Sequence, residues 1–266
     1  MSSGRGRSDV PWTLYLSGIR REISQPVALL SQGFFICLIL FVFSHLWEAA
    51  FKSGFSSSAV PADYVWYLLV TEIVVLCPPQ IFREIQDEVR SGDLLQRLLK
   101  PIAYPLCTYL EALGRASVRM LVLGLIGTAF TLVATGQAPG NITGFIAALL
   151  LVPLSTAVLL LFYTAIGLLS VWMFDAMPVY WVFSKAMYVL GGLMIPISIY
   201  PDWLQRVAAC TPFYALLYGV SRQTISFSTD VFILSATMLA GWAVLAVLLI
   251  CRIYSRVNRT ICLGGG

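Results

Sequence analysis

The chain has 266 residues, 59% hydrophobic and 11% charged, with a mean hydropathy of +0.84 and a net charge of +4. Soluble domains average roughly 45–50% apolar and about 25% charged residues, so this chain cannot cover a folded surface with polar groups. The composition excludes a soluble monomer and a disordered chain. It leaves a polytopic membrane protein.

A helix needs about 20 mostly apolar residues to cross roughly 30 Å of hydrocarbon. Before the first such stretch, Trp12, Leu16, Ile19 and Ile23 recur at helical spacing, with Arg20, Arg21 and Glu22 facing elsewhere and Pro11 suited to a first turn. This predicts an amphipathic helix in the cytoplasmic interface, set off from the first span by Pro26. Six apolar stretches follow, at 27–47, 64–82, 116–135, 145–174, 178–200 and 231–254. Pro78-Pro79 is expected to bend or unwind the inner end of the second, and Pro153 to kink the fourth. Fourteen of the 17 Lys and Arg fall on one side of this layout; Lys52, Arg206 and Arg222 fall on the other. The asymmetry places both termini in the cytoplasm. No cleavable signal peptide is expected, because 12–25 separates the basic N-terminus from the first apolar run, which reads as a retained anchor. The organisation is therefore a cytoplasmic N-terminus at 1–26, a six-helix membrane domain at 27–254 and a cytoplasmic tail at 255–266.

The segment 83–100 is the most charged part of the chain. Ile85 and Val89 share a helical face, and Ser91-Gly92 is a natural C-terminal cap. Asp93 with Gln96 has the capping-box spacing, Leu95, Leu98 and Leu99 extend an apolar stripe, and Pro101 ends it. The expectation is two short helices around a glycine break, with a stripe that wants a surface to pack on. The last external loop, 201–219, is apolar yet too short and broken to cross. Pro201 and Pro212 each start a short helix there, and Trp203, Tyr214 and Tyr218 suit the headgroup level.

The chain contains no G-x-x-x-x-G-K-[ST], no G-x-S-x-G and no H-E-x-x-H, and its single histidine, His45, excludes a multi-histidine metal site. The six cysteines read as small buried hydrophobes. Glu72 sits near the middle of span two, where an ionisable group is costly and usually faces a partner or a wet cavity. Lys185, in the inner half of span five, is a candidate counter-charge. Either Glu72 makes a structural interhelical hydrogen bond or it lines a polar path.

The order of parts resembles an ABC-2 type transporter permease, the membrane subunit of an ATP-binding cassette exporter. Two stretches carry the resemblance: Glu88-Val-Arg-Ser-Gly-Asp-Leu-Leu-Gln-Arg-Leu-Leu-Lys-Pro-Ile102 before span three, and Gly191-Gly-Leu-Met-Ile-Pro-Ile-Ser-Ile-Tyr-Pro-Asp-Trp-Leu-Gln-Arg206 followed by Thr211-Pro-Phe-Tyr214. The resemblance implies an all-α integral membrane fold of six spans with an N-terminal interfacial helix, a cytoplasmic coupling helix and an external re-entrant hairpin. It implies an ATPase-coupling set of Glu84, Asp87, Glu88, Arg90, Ser91, Gly92, Asp93 and Arg97, and a hairpin marked by Pro201, Trp203, Pro212 and Phe213. Glu72 and Lys185 become candidates for the translocation path. Two cytoplasmic ABC ATPase subunits would carry ATP and Mg, so this chain binds no cofactor and is not itself an enzyme. A second permease, identical or paralogous, would complete the path in the inner (cytoplasmic) membrane, among membrane lipids and without nucleic acid. The apolar spans favour a lipid-like, amphiphilic or drug-like cargo. The alternatives are a polysaccharide or glycolipid exporter, and a non-transporting anchor for an ATPase.

Overall fold

A computed structural model describes residues 10–54, 60–98, 102–173 and 175–264. Among them every regular element is helical. Helix α1 (Val10–Ile23) leads into α2 (Pro26–Lys52) and α3 (Pro61–Leu76). Both α2 and α3 begin at a proline, where the missing N–H leaves nothing unsatisfied. Pro78 and Pro79 then break the backbone ladder, so α3 ends at Leu76 and Ile81 and Phe82, expected in the same helix, open α4 (Ile81–Ser91). Gly92 adopts φ +83°, the left-handed conformation that stops a helix, and α5 (Asp93–Leu98) follows.

Helix α6 (Tyr104–Thr135) has 32 residues, roughly 48 Å of helix, and starts at Tyr104 rather than at 116. The added turns are amphipathic and provide the surface on which α1 packs. Helix α7 (Ile142–Leu168) is capped by the Asn141 side chain and runs through Pro153 without a break. Then come α8 (Met177–Leu190), α9 (Asp202–Ala209), a π-turn at Tyr214–Tyr218 leading into α10 (Gly219–Ser221), and α11 (Thr229–Gly264), which continues well past 254. Arg5, Arg7, Leu99, Lys100, Pro101 and Phe174 lie outside the described residues.

Five helical runs among the described residues are long and apolar enough to cross a membrane: Pro26–Lys52, Pro61–Ser91 (α3 with α4), Tyr104–Thr135, Ile142–Val171 and Thr229–Val257. The stretch expected at 178–200 differs. Helix α8 has 14 residues, about 21 Å, and stops at Gly191, after which Gly192 turns at φ +67°. The Tyr67 hydroxyl donates to the Gly192 carbonyl, and Thr71 Oγ1 donates to the Leu193 carbonyl at 3.0 Å. Side chains of α3 thus satisfy backbone groups that a continued helix would have paired internally.

Helix α3 is the central pillar. Every residue from Tyr64 to Val74 is buried, against α2, α6, α7 and α10. The outer helices α2, α6 and α11 expose broad apolar faces, including Phe34, Leu125 and Leu248. Of the described cysteines, Cys77 is buried and Cys37 partly so, whereas Cys210 and Cys251 are exposed and do not fit the expected buried role.

Helix α1 lies on the first half of α6. A Cβ at Gly18 would strike the Glu111 carbonyl, and one at Gly114 would strike the Tyr15 carbonyl, so the backbones meet at a reciprocal pair of glycines. Tyr15 also donates to Ser117 Oγ at 2.9 Å. The inward face is therefore Tyr15, Gly18 and Glu22, while Trp12 and Ile23 of the expected apolar stripe stay exposed. Gly114→Ala should lower stability by about 1–3 kcal/mol, because the obstacle is backbone and cannot swing away. Gly124→Ala, on the same helix with open space around it, should leave it unchanged or slightly higher. Thermal unfolding in detergent separates the two.

Candidate coupling and translocation sites

The charged residues converge on α4. Its face of Ile81, Phe82, Ile85 and Gln86 is buried against α7, where Gly167 admits it closely: a Cβ there would lie 3.0 Å from Phe82 Cα and 2.9 Å from Ile85 Cβ. Phe82 stacks on Tyr180 of α8 with ring centroids 4.1 Å apart. The other side of α4 is held by charge. Glu84 accepts from both terminal nitrogens of Arg115, at 2.5 and 2.8 Å, with Arg21 of α1 at 3.6 Å. Glu88 accepts from the Tyr104 hydroxyl at 2.7 Å and pairs with Arg97 at 3.1 Å. Gln86 Oε1 accepts the Ala176 N–H at 2.7 Å, and Arg90 reaches Asp175 at 3.8 Å. Helix α4 is thereby tied to α1, α5, α6 and the α7–α8 connection.

One turn further along α6, Arg119 donates to both carboxylate oxygens of Glu22, at 2.6 and 3.2 Å. Glu22 is only 2% exposed, contrary to its expected place on the polar face of α1. Arg119 needs an acidic partner at that depth, and Glu22 is the carboxylate that the Gly18–Gly114 contact brings within reach.

The sequence-predicted coupling set divides in two. Glu84, Glu88 and Arg97 turn inward and bind their neighbours. Asp87, Arg90, Ser91 and Asp93 are exposed around the Gly92 break. Ser91 Oγ donates to Asp93 Oδ2 at 2.8 Å and accepts the Asp93 N–H at 3.3 Å, which stiffens the turn. Sequence reading did not assign roles to Arg21, Gln86, Tyr104, Arg115, Arg119 or Asp175. One signal was available: Arg115 and Arg119 stand four apart at the start of an apolar run, a placement that requires acidic partners on facing elements.

Glu72 and Lys185 are not brought together. Glu72 is 3% exposed and has neither a hydrogen-bond nor an ion-pair partner among the described residues, so the expected interhelical hydrogen bond is not formed. Lys185 is exposed on α8, with its ammonium 5.3 Å from the ring centroids of both Trp181 and Tyr188. Tyr188 in turn lies within electrostatic reach of Glu72.

At the far end of the fold, Pro201 caps α9 and Pro212 opens the next helical run, as the sequence suggests. Trp203 is exposed, whereas Phe213 packs edge-on against Phe183 at 5.0 Å. Ser155 and Ser235 donate to the Leu216 and Gly219 carbonyls at 2.6 and 2.9 Å, pinning this hairpin to α7 and α11. A lateral cavity of 370 Å³ lies between α6, α7 and α11, lined chiefly by Leu106, Tyr109, Leu161, Val247, Ile250 and Tyr254.

Several long apolar helices with a charged cap at one end define a multi-pass membrane protein. The family model described as ABC-2 family transporter protein matches residues 29–260, and the chain belongs to that family. Membership implies association with an ABC ATPase. No curated protein matches the chain significantly.

Glu22→Gln should destabilise the protein by about 2–3 kcal/mol, because it removes the charged partner of Arg119, whose side chain is 13% exposed, from a buried position. Arg90→Gln, which removes an exposed pair with Asp175, should cost about 1 kcal/mol or less. Thermal unfolding of the two variants in the same detergent tests this ordering.

Proposed function

We propose that the chain is one of two permease subunits of an ATP-driven exporter in the inner (cytoplasmic) membrane, with both termini in the cytoplasm. In this reading α8, together with the bent chain to Tyr200, serves as a sixth span. The α9 and Tyr214–Tyr218 segments form the external re-entrant hairpin marked by Pro201, Trp203, Pro212 and Phe213. Two cytoplasmic ATPase subunits bind ATP and Mg and dock on α4 and α5. A second copy, or a paralogue, completes the path.

One observation carries this reading. Helix α4 is bound on several sides by charge and close packing, while its tip at Asp87, Arg90, Ser91, Gly92 and Asp93 faces solvent. A push delivered at that tip by a closing ATPase dimer is passed to α1 and α6 through Arg21, Glu84 and Arg115, and to α7 and α8 through Gln86 and Asp175. Such rigid-body transmission suits a transporter that alternates between two packings.

The lateral cavity supports a lipid-like, amphiphilic or drug-like cargo. Its lining is apolar apart from two tyrosines, and the Tyr109 hydroxyl is already engaged by the Ala157 carbonyl at 3.3 Å. A hydrated glycan would find few groups there to replace its water. Glu72, buried on α3, and Lys185 on the open face of α8 are the polar groups assigned to the path.

The test is purification from native membranes with mass analysis of the intact complex. Two P-loop ATPase subunits with two permeases support the proposal; a chain that purifies alone in the presence of nucleotide counts against it. Within the complex, reversing charge at Arg90 and Asp93 together should abolish cargo-stimulated ATPase activity while insertion and expression stay normal. Glu72→Gln should reduce transport at equal expression, and unchanged transport would remove Glu72 from the path.

A further inference from the structure

A cavity of 250 Å³ opens between the end of α1, the α3–α4 junction and the middle of α6. Four guanidinium groups line it, from Arg21, Arg83, Arg115 and Arg119, against two carboxylates, Glu22 and Glu84. Both carboxylates are committed: Glu84 holds Arg115 through two hydrogen bonds, and Glu22 holds Arg119 through two more. Two positive charges therefore remain in excess. Arg83 has no ion-pair partner among the described residues and rests 5.8 Å over its neighbour's ring, Phe82. Arg21 reaches Glu84 at 3.6 Å, too long for a hydrogen bond. Arg115 is 5% exposed, and its Nε–H meets no acceptor among the described residues.

The depth of this cavity is set by the chain around it. Gln25, on its wall, immediately precedes the start of α2 at Pro26, and Pro79, also on its wall, follows the end of α3. Two apolar helices thus reach the membrane boundary at this level. Beyond it, Val27, Leu30 and Phe34 of α2 are exposed and apolar, and the exposed Ser31 between them turns its hydroxyl to the Ala28 carbonyl. Cationic donors stand at the headgroup level, and a hydrocarbon-compatible surface lies next to them.

We propose that this cavity binds a phosphate-bearing anionic headgroup supplied by a membrane phospholipid. Arg21 and Arg83 offer free donors at the rim, and the Arg115 Nε–H offers one from within. Phosphate oxygens supply acceptors that the described residues do not, and the phosphodiester's single negative charge offsets one of the two excess positive charges. The site joins α1, α4 and α6, so an occupied cavity braces the cytoplasm-facing helices against one another whichever cargo the transporter carries.

The experiment places the full chain in phosphatidylcholine nanodiscs with and without phosphatidylglycerol, and counts retained lipid by native mass spectrometry. The wild type should retain phosphatidylglycerol in preference to phosphatidylcholine. The Arg21→Gln/Arg83→Gln variant should weaken that retention roughly 30-fold, the expectation for losing two cations at the membrane surface. The Arg252→Gln/Arg259→Gln variant, with the same charge removed from exposed positions on α11, should behave as wild type. Equal losses in both variants, or no preference in the wild type, would overturn the proposal. If Arg21→Gln/Arg83→Gln does not fold, Arg83→Gln alone serves, since it breaks no ion pair among the described residues. A final arm adds inorganic phosphate to phosphatidylcholine nanodiscs. Thermal protection equal to that given by phosphatidylglycerol would assign the site to a soluble phosphate and overturn the lipid assignment; protection by the lipid alone supports it.

Discussion

The arrangement depends on the bidentate pair between Glu84 and Arg115. Arg115 is almost fully buried, and a guanidinium there is tolerable only when its charge is met by a well-placed carboxylate. Glu84 can meet it only if α4 turns back after α3 and lies across the ends of α6 and α7. The two prolines after Leu76 make that turn, and Gly167 makes the close packing possible. One electrostatic requirement therefore sets the direction of the chain where it leaves the apolar core, and with it the position of the exposed Gly92 tip.

The same logic recurs one turn away, where Glu22 meets Arg119. This second pair binds α1, a helix otherwise suited to lie free on a membrane surface, to the body of the protein. The Gly18–Gly114 contact brings the backbones close enough for the carboxylate to reach. Packing and charge are mutually dependent here: without the glycines the ions are too far apart, and without the ions the glycine contact buries little apolar area. The three surface elements α1, α4 and the start of α6 behave as one plate under the apolar bundle.

Within the bundle, α3 has the opposite character. It is buried on nearly every side and carries its polar groups inward, with Tyr67 and Thr71 ending α8 early and Glu72 left without a partner among the described residues. A carboxyl in that position is expensive to keep, which makes it the intramembrane group most in need of a functional account. The outer helices, by contrast, expose apolar side chains in the numbers that lipid or a second subunit would cover.

The amino-acid sequence by itself determined the class and the punctuation of this protein. Apolar runs of membrane-spanning length, the one-sided distribution of Arg and Lys, the Pro78-Pro79 break and the Gly92 stop are local properties, legible because chain geometry and water–hydrocarbon transfer act residue by residue. Tertiary structure alone decided which polar groups meet. Glu22 is charged like its neighbours Arg20 and Arg21 and reads as part of the same polar face, yet it is buried because Arg119, 97 residues away, needs it. Lys185 and Glu72 have suitable charge and similar depth, yet they do not pair, because Lys185 sits on the open face of α8 over its own aromatic neighbours. The apolar run at 178–200 continues in sequence, but its helix ends at Gly191, where α3 offers hydroxyls to the carbonyls of Gly192 and Leu193. In each case the deciding partner comes from a distant helix, and periodicity within one segment carries no record of it.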